Sequence, residues 1–115
     1  MKKKGHYINN EDLESVISLY QSDSKKYEKE LISMFGLLIK NIIESFKFQV
    51  DPNDAKQECF ALILKTVPKF DSNKGKAFNY FTTIILNHLK LMWRKEKKYQ
   101  EKINAYIEIK KGDLE

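Results

Sequence analysis

Residues 54–83 read DAKQECFALILKTVPKFDSNKGKAFNYFTT, and this stretch decides the fold. A helix comes first, and the preceding run Asp51-Pro52-Asn53-Asp54 is typical of its start, with the proline near the first helical position. Its apolar residues fall on one side, namely Ala55, Cys59, Leu62 and Ile63. Pro68 ends this helix because proline has no amide hydrogen and clashes with the preceding turn. Residues 70–75 are typical of a turn, in which Gly75 can adopt a positive φ. From Ala77 a second and longer helical pattern begins, with apolar residues at Phe81, Ile84, Ile85, Leu89 and Trp93.

Two further helices are predicted before this stretch. Asn9 or Asn10 caps the first, because an asparagine side chain can accept a hydrogen bond from the open amides of a helix start. Ser22 or Ser24 caps the second, which runs to about Phe46. The second helix carries the widest apolar stripe of the chain, so we expect it to be the most buried element.

The predicted fold class is all-α, with about four helices and a long C-terminal helix. Beyond Arg94 the sequence is highly charged, so we expect this helix to leave the core and face solvent. At 115 residues and 13.6 kDa, the chain has material for one small domain. We divide it into an N-terminal helix segment at 1–23, a main segment at 24–100 and a charged helical tail at 101–115.

The composition excludes several classes of protein. Cys59 is the one cysteine, which excludes an internal disulfide and a cysteine-based zinc site. His6 and His88 lie too far apart in sequence to form a spaced pair of metal ligands. The sequence has no Ser-His-Asp order and no glycine-rich phosphate loop, so we expect no catalysis, no metal and no cofactor. No apolar run approaches the length of a membrane span, and we expect a cytoplasmic protein.

The charge is distributed unevenly along the chain. The net charge is +5, with a local excess of +6 over residues 69–98 and of −3 over residues 11–30. Of the 21 basic residues only Arg94 is an arginine, and lysine is a point charge that suits phosphate. Such a chain presents one face to a polyanion. A solvated helix face would produce the same run of charge, and the run alone does not decide between the two.

Three aromatic residues, Phe78, Tyr80 and Phe81, lie close together among basic residues. Rings among cations suit an unpaired strand of nucleic acid, because each stacked base contributes about 1–3 kcal/mol and the cations hold its backbone. On a helix, positions 78 and 81 share a face while position 80 points elsewhere, so the three cannot all enter one core. The alternative is that Phe78 and Phe81 pack in the core and Tyr80 lies on the surface.

A polar stripe lies opposite the apolar side of the helix in residues 54–66. Asp54, Gln57, Glu58 and Ala61 follow the i, i+3, i+4, i+7 spacing of one helix face. This acidic stripe suits docking on a basic protein surface. A solvated amphipathic helix is the alternative that the pattern leaves open.

The order of these features resembles region 2 of the sigma-70 family of transcription initiation factors. The matching residues are Gln57-Glu58, an apolar run, Lys69-Phe70-Asp71, Gly75 and the aromatic segment 78–81. The resemblance covers about residues 6–100. It implies that residues 24–100 form a domain that binds core RNA polymerase and that recognises and melts an A·T-rich minus-ten promoter element. The polymerase would then perform all of the chemistry.

Two other segments are more specifically similar to the late-gene sigma factors of large tailed bacteriophages. They are the run that begins Tyr7-Ile-Asn-Asn-Glu-Asp-Leu and the closing run Arg94-Lys-Glu-Lys-Lys. Nothing after Lys98 resembles the helix-turn-helix that reads the minus-thirty-five element in the full family. The resemblance therefore implies accessory partners, which for late factors are a sliding clamp and a late-transcription coactivator.

The resemblance implies two sets of contact residues. The clamp helices of the largest catalytic subunit of the polymerase would meet Asp54, Gln57, Glu58, Ala61 and Leu64. Promoter DNA, partly single-stranded, would meet Lys74, Lys76, Phe78, Asn79, Tyr80, Phe81, Thr83, Asn87, His88, Lys90, Arg94, Lys95, Lys97 and Lys98. Within this set Phe81 would stack on the flipped base, Asn87 and His88 would read the duplex edge, and the basic side chains would hold phosphates.

The chain departs from the family at two kinds of position. Ile84 and Ile85 stand where housekeeping members carry paired tryptophans, so the usual wedge at the duplex fork is missing or weaker. Pro68 stands where a helical polar residue is common. Two other functions fit the residues, namely a helical DNA-binding repressor or activator, and an adaptor that binds polymerase without contacting DNA.

Overall fold

The computed structural model of the chain describes residues 8–47 and 49–114, so the matches at His6 and Tyr7 lie outside the described residues. Four α-helices are present, which are α1 (Asn10–Ser22), α2 (Ser24–Ser45), α3 (Pro52–Thr66) and α4 (Ala77–Leu114). Two short 3₁₀ turns, Val67–Lys69 and Ser72–Lys74, connect α3 to α4. No strand occurs in the described residues, and the all-α class with a long C-terminal helix is confirmed.

The starts of α1 and α3 follow the sequence prediction. The Asn9 side chain caps α1 by accepting a hydrogen bond of 2.8 Å from the Asp12 amide. The Asp51 side chain caps α3 by accepting from the amides of residues 53 and 54, at 2.9 and 3.3 Å. Pro52 occupies the first helical position, where a proline costs nothing because that amide has no partner in the helix.

The cap of α2 differs from the prediction, which was wrong in naming Ser22 or Ser24. Asp23 is the cap, and its side chain accepts a hydrogen bond of 3.2 Å from the Lys26 amide. The Ser22 hydroxyl is already used, because it donates to the carbonyl of Leu19 at 2.8 Å. Helix α2 supplies more buried residues than any other element, as predicted, and they are Leu31, Phe35, Leu38, Ile39 and Ile42.

Helix α1 fixes the connection that leads into α4. The backbone amides of Ala77 and Phe78 begin α4, and they donate to the Glu14 carboxylate at 3.0 Å and to the Asn10 side-chain oxygen at 2.9 Å. The Gln21 amide nitrogen donates at 2.9 Å to two carbonyls of the connection, those of Val67 and Phe70. Because open helix amides and buried carbonyls need partners, these bonds hold residues 67–78 in one place.

Helix α4 extends far beyond the bundle. Its 38 residues span about 57 Å at 1.5 Å per residue, and every described side chain from Arg94 to Gly112 is exposed. The helix leaves the core as predicted and continues to Leu114. No helix in the described part of the chain is long and apolar enough to span a membrane.

Phe81 is a core residue. Its ring is fully buried, packs edge-on against the ring of Phe35 at a centroid distance of 5.0 Å and lies 5.4 Å from the ring of Phe70. The expectation that Phe81 stacks on a flipped base was therefore wrong, because no side of this ring is open. Phe78 is partly buried against the same core.

We predict that Phe81→Ala lowers the free energy of unfolding by about 3–5 kcal/mol, because it removes a buried ring and leaves a cavity. Urea unfolding measures this change. The control is Thr83→Ala on the exposed side of α4, which we expect to change stability by no more than about 0.5 kcal/mol. A loss below about 1 kcal/mol for Phe81→Ala would contradict its burial.

Candidate functional site

The side of α4 that faces away from Phe81 forms a polar and basic surface. Residues 81, 85 and 89 are buried, and the residues on the opposite side of the helix are exposed. We call this exposed side the outer face, and it consists of Asn79, Tyr80, Thr83, Asn87, Lys90, Arg94, Lys97 and Lys98. Lys95 is exposed at its edge, and Lys74 and Lys76 are exposed just before the helix. The structure thus brings most of the predicted DNA-binding residues to one side.

Tyr80 is the exposed ring of this surface. Its side chain is 44% exposed, and its ring lies 5.4 Å from the ring of Phe70 and 5.0 Å from the ring of Phe81. The two inner rings therefore support Tyr80 from behind and leave part of it open. A pocket of about 210 Å³ adjoins it, lined by Lys69, Phe70, Asp71, Lys74, Gly75 and Tyr80. We call this space the Tyr80 pocket.

The turn before α4 shapes the wall of the Tyr80 pocket. Gly75 has φ 150° and ψ 171°, a conformation that is essentially restricted to glycine. The Asp71 side chain accepts a hydrogen bond of 2.9 Å from the Asn73 amide and so belongs to the turn itself. Lys69 and Phe70 were absent from the predicted site, although their position in the turn before the aromatic segment was a signal that placed them near it.

The stripe predicted on α3 is exposed along its whole length. Asp54, Gln57, Glu58, Ala61 and Leu64 all face solvent, while Ala55, Cys59 and Ile63 on the other side are buried. Leu64 is 38% exposed and adds a large apolar side chain to a mostly polar surface. We call these five residues the α3 stripe.

One hydrogen bond joins the α3 stripe to helix α4. Glu58 of the α3 stripe and His88 of α4 lie 2.8 Å apart, from Oε1 to Nε2, and both side chains are partly exposed. A groove farther along places Asp54 beside Met92 and Glu96, so α3 and α4 run antiparallel. The sequence assigned Glu58 and His88 to different partners and did not indicate this contact.

Cys59 is a buried residue with a weakly acidic thiol. Burial, with a smaller contribution from the charge of Glu58, raises the pKa of the Cys59 thiol to about 11, so the thiol stays protonated near neutral pH and is a poor nucleophile. No group of three or more metal-ligating side chains occurs within residues 8–47 and 49–114. Ile85 is buried and Ile84 half-buried, so this pair presents no exposed wedge.

In comparisons with known proteins, no family model, no curated protein and no solved structure matched this chain.

We predict a measurable coupling between Glu58 and His88. In a double-mutant cycle with Glu58→Ala and His88→Ala, the two changes in unfolding free energy should deviate from additivity by about 0.2–1 kcal/mol, because each removes the same partly exposed bond. Glu58→Ala combined with Lys90→Ala is the control pair, and we expect it to be additive. Additivity in both cycles would contradict the contact.

Proposed function

We propose that this chain is a sigma-type specificity subunit of RNA polymerase, of the kind used for late transcription by bacteriophages. It binds core RNA polymerase and helps to open an A·T-rich minus-ten promoter element, and it performs no chemistry itself. The observation that carries the proposal is the Tyr80 pocket, where a supported but open ring stands beside two lysines. The site of action is the cytoplasm of a bacterial host.

The Tyr80 pocket supports binding of one unpaired base. Tyr80 offers an open ring, and Lys69 and Lys74 stand at the rim, where the phosphates next to a flipped nucleotide would lie. A stacked base contributes about 1–3 kcal/mol, and taking a base out of the duplex costs a few kcal/mol. The ring alone therefore offsets only part of that cost, and contacts to phosphates must supply the rest.

The outer face of α4 supports contacts to the DNA backbone. Its basic residues, from Lys90 to Lys98, spread over about 12 Å of helix, and Lys76 lies just before the helix begins. Lysines at phosphates fix position without reading sequence. Asn87 is exposed among them and is the residue on this face that is best suited to a base edge.

The α3 stripe supports the contact with polymerase. It combines charged and polar side chains with an exposed leucine, and protein interfaces likewise combine polar and apolar side chains. The bond between Glu58 and His88 joins the stripe to α4, so one partner bound to the stripe and one bound to the outer face would bring enzyme and promoter together. After Lys98 the described chain continues as a single helix, and we propose a sliding clamp and a coactivator as additional partners.

We predict that Tyr80→Ala weakens binding of polymerase holoenzyme to forked DNA with an unpaired A·T-rich strand about 10- to 100-fold, because a stacked base is lost. Tyr80→Phe, which keeps the ring, should bind like the wild type. Fluorescence anisotropy of the labelled fork measures both.

Two results would contradict this function. If Tyr80→Ala and wild type bind the fork equally well, the chain acts as an adaptor that does not contact unpaired DNA. If the chain alone binds the same sequence tightly as intact duplex, a repressor or activator module explains the outer face better.

We predict that Ala61→Arg lowers capture of core RNA polymerase at least about tenfold, because a long cation in the middle of the α3 stripe blocks close packing. Ala105→Arg, which adds the same side chain to the exposed end of α4, is the matched control and should leave capture unchanged. Co-purification with core polymerase measures this, and capture that is equal for both variants, or absent for the wild type, would contradict the proposed function.

A further inference from the structure

The end of α4 is a long helix with an uncovered apolar side. From Arg94 to Gly112 no side chain is buried. The exposed side chains include large apolar ones that are half or more exposed, namely Tyr99, Tyr106, Ile107 and Ile109. A single helix of this length is only marginally stable in water, and helices in proteins gain most of their stability by burying an apolar face. This segment therefore favours a covered state.

Its apolar side has the spacing of a coiled coil. Residues 92, 96, 99, 103, 106 and 110 are separated by four, three, four, three and four positions, which is the seam pattern of two paired helices. They are Met92, Glu96, Tyr99, Ile103, Tyr106 and Lys110. The seam continues the side of α4 that packs into the bundle through Phe81, Ile85 and Leu89. The side chains at the seam beyond Met92 have no helix opposite them.

We propose that this seam pairs with the same seam of a second copy of the chain, antiparallel and centred on Ile103. The charges at the two ends of the seam favour that arrangement. Glu96 and Lys110 each lie seven residues from Ile103, so in the antiparallel pair each glutamate faces the lysine of the second copy. A parallel pair would instead place glutamate against glutamate and lysine against lysine.

The centre of the seam supplies the apolar contacts. In the antiparallel arrangement Ile103 faces Ile103 of the second copy. Tyr99 and Ile107, each four residues from Ile103, face each other on both sides of it, and Tyr106 lies beside them. Burial of these rings and of the isoleucines provides the main stabilisation, because exposed ion pairs contribute little. The ion pairs then select direction and register.

A groove at the bundle end of the seam fits the end of the second helix. It has a volume of about 580 Å³ and is lined by Gln49, Val50, Asp51, Pro52, Asp54, Met92 and Glu96, of which three are acidic. In the proposed register, the basic end of the second copy at Lys110 and Lys111 lies beside this groove. Because α3 runs antiparallel to α4, the second helix would end where α3 begins.

The other charges of the segment are compatible with pairing. Glu101 and Glu108 lie on the side of the helix away from the seam, and so does Arg94. Lys102 flanks the seam near its centre and is level with Asn104 of the second copy. The like charges that come level are Lys95 and Lys111, which lie to either side of the seam next to the two Glu96–Lys110 pairs. Glu96 is already oriented, since the Gln100 side chain donates a hydrogen bond of 3.1 Å to its carboxylate.

Sedimentation equilibrium of the full chain tests the pairing, and it needs neither polymerase nor DNA. We expect the mass to rise from 13.6 kDa toward twice that value as concentration increases. Glu96→Lys and Lys110→Glu each place like charges at both ends of the seam, and each should weaken the dimer about tenfold. The combined variant Glu96→Lys/Lys110→Glu restores opposite charges and should restore the dimer.

The matched control is Glu108→Lys, which makes the same charge change on the far side of the helix and should leave the dimer unchanged. Circular dichroism of each variant verifies that the helix content is kept. A chain that stays at 13.6 kDa at about 1 mM overturns the proposal, whether or not it binds anionic vesicles or an acidic helical peptide. Failure of the combined variant to recover, when each single variant disrupts, overturns the antiparallel register.

Discussion

The packing of Phe81 into the bundle decides which side of α4 faces solvent. Successive residues of a helix are rotated by about 100°, so once Phe81, Ile85 and Leu89 are buried, Tyr80 and Asn87 must point outward. The same ring supports Tyr80 from behind at 5.0 Å. Phe81 is buried and cannot contact a ligand itself, but it sets the position of Tyr80, the residue that we propose to contact DNA.

The connection before α4 depends on α1 as much as on its own residues. Asn10 and Glu14 accept hydrogen bonds from the first amides of α4, and Gln21 donates to two carbonyls of the connection. These bonds fix the wall of the Tyr80 pocket relative to its ring. Helix α1 therefore belongs to the same structural unit as the connection and α4. Substitutions in α1 should alter the Tyr80 pocket although no residue of α1 lines it.

Much of the fold followed from local rules. The caps at Asn9 and Asp51, the proline at the start of α3 and the periodicity of α4 were readable from the sequence because each depends on neighbours within a turn. The prediction of a serine cap for α2 was wrong because the Asp23 side chain accepts the hydrogen bond from the helix start instead. The burial of Phe81 remained undecided between two alternatives, since spacing fixes which residues share a face but not which face turns inward. The bond between Glu58 and His88 joins residues 30 positions apart, and no local pattern encodes it.

We propose that Tyr80, and not Phe81, meets an unpaired base. The most direct measurement places 2-aminopurine at the unpaired position of an A·T-rich fork and follows its fluorescence when holoenzyme binds, because stacking on a ring quenches it. We expect wild type and Tyr80→Phe to quench the 2-aminopurine fluorescence equally, and Tyr80→Ala not to quench it, at saturating protein. Full quenching by Tyr80→Ala would contradict it.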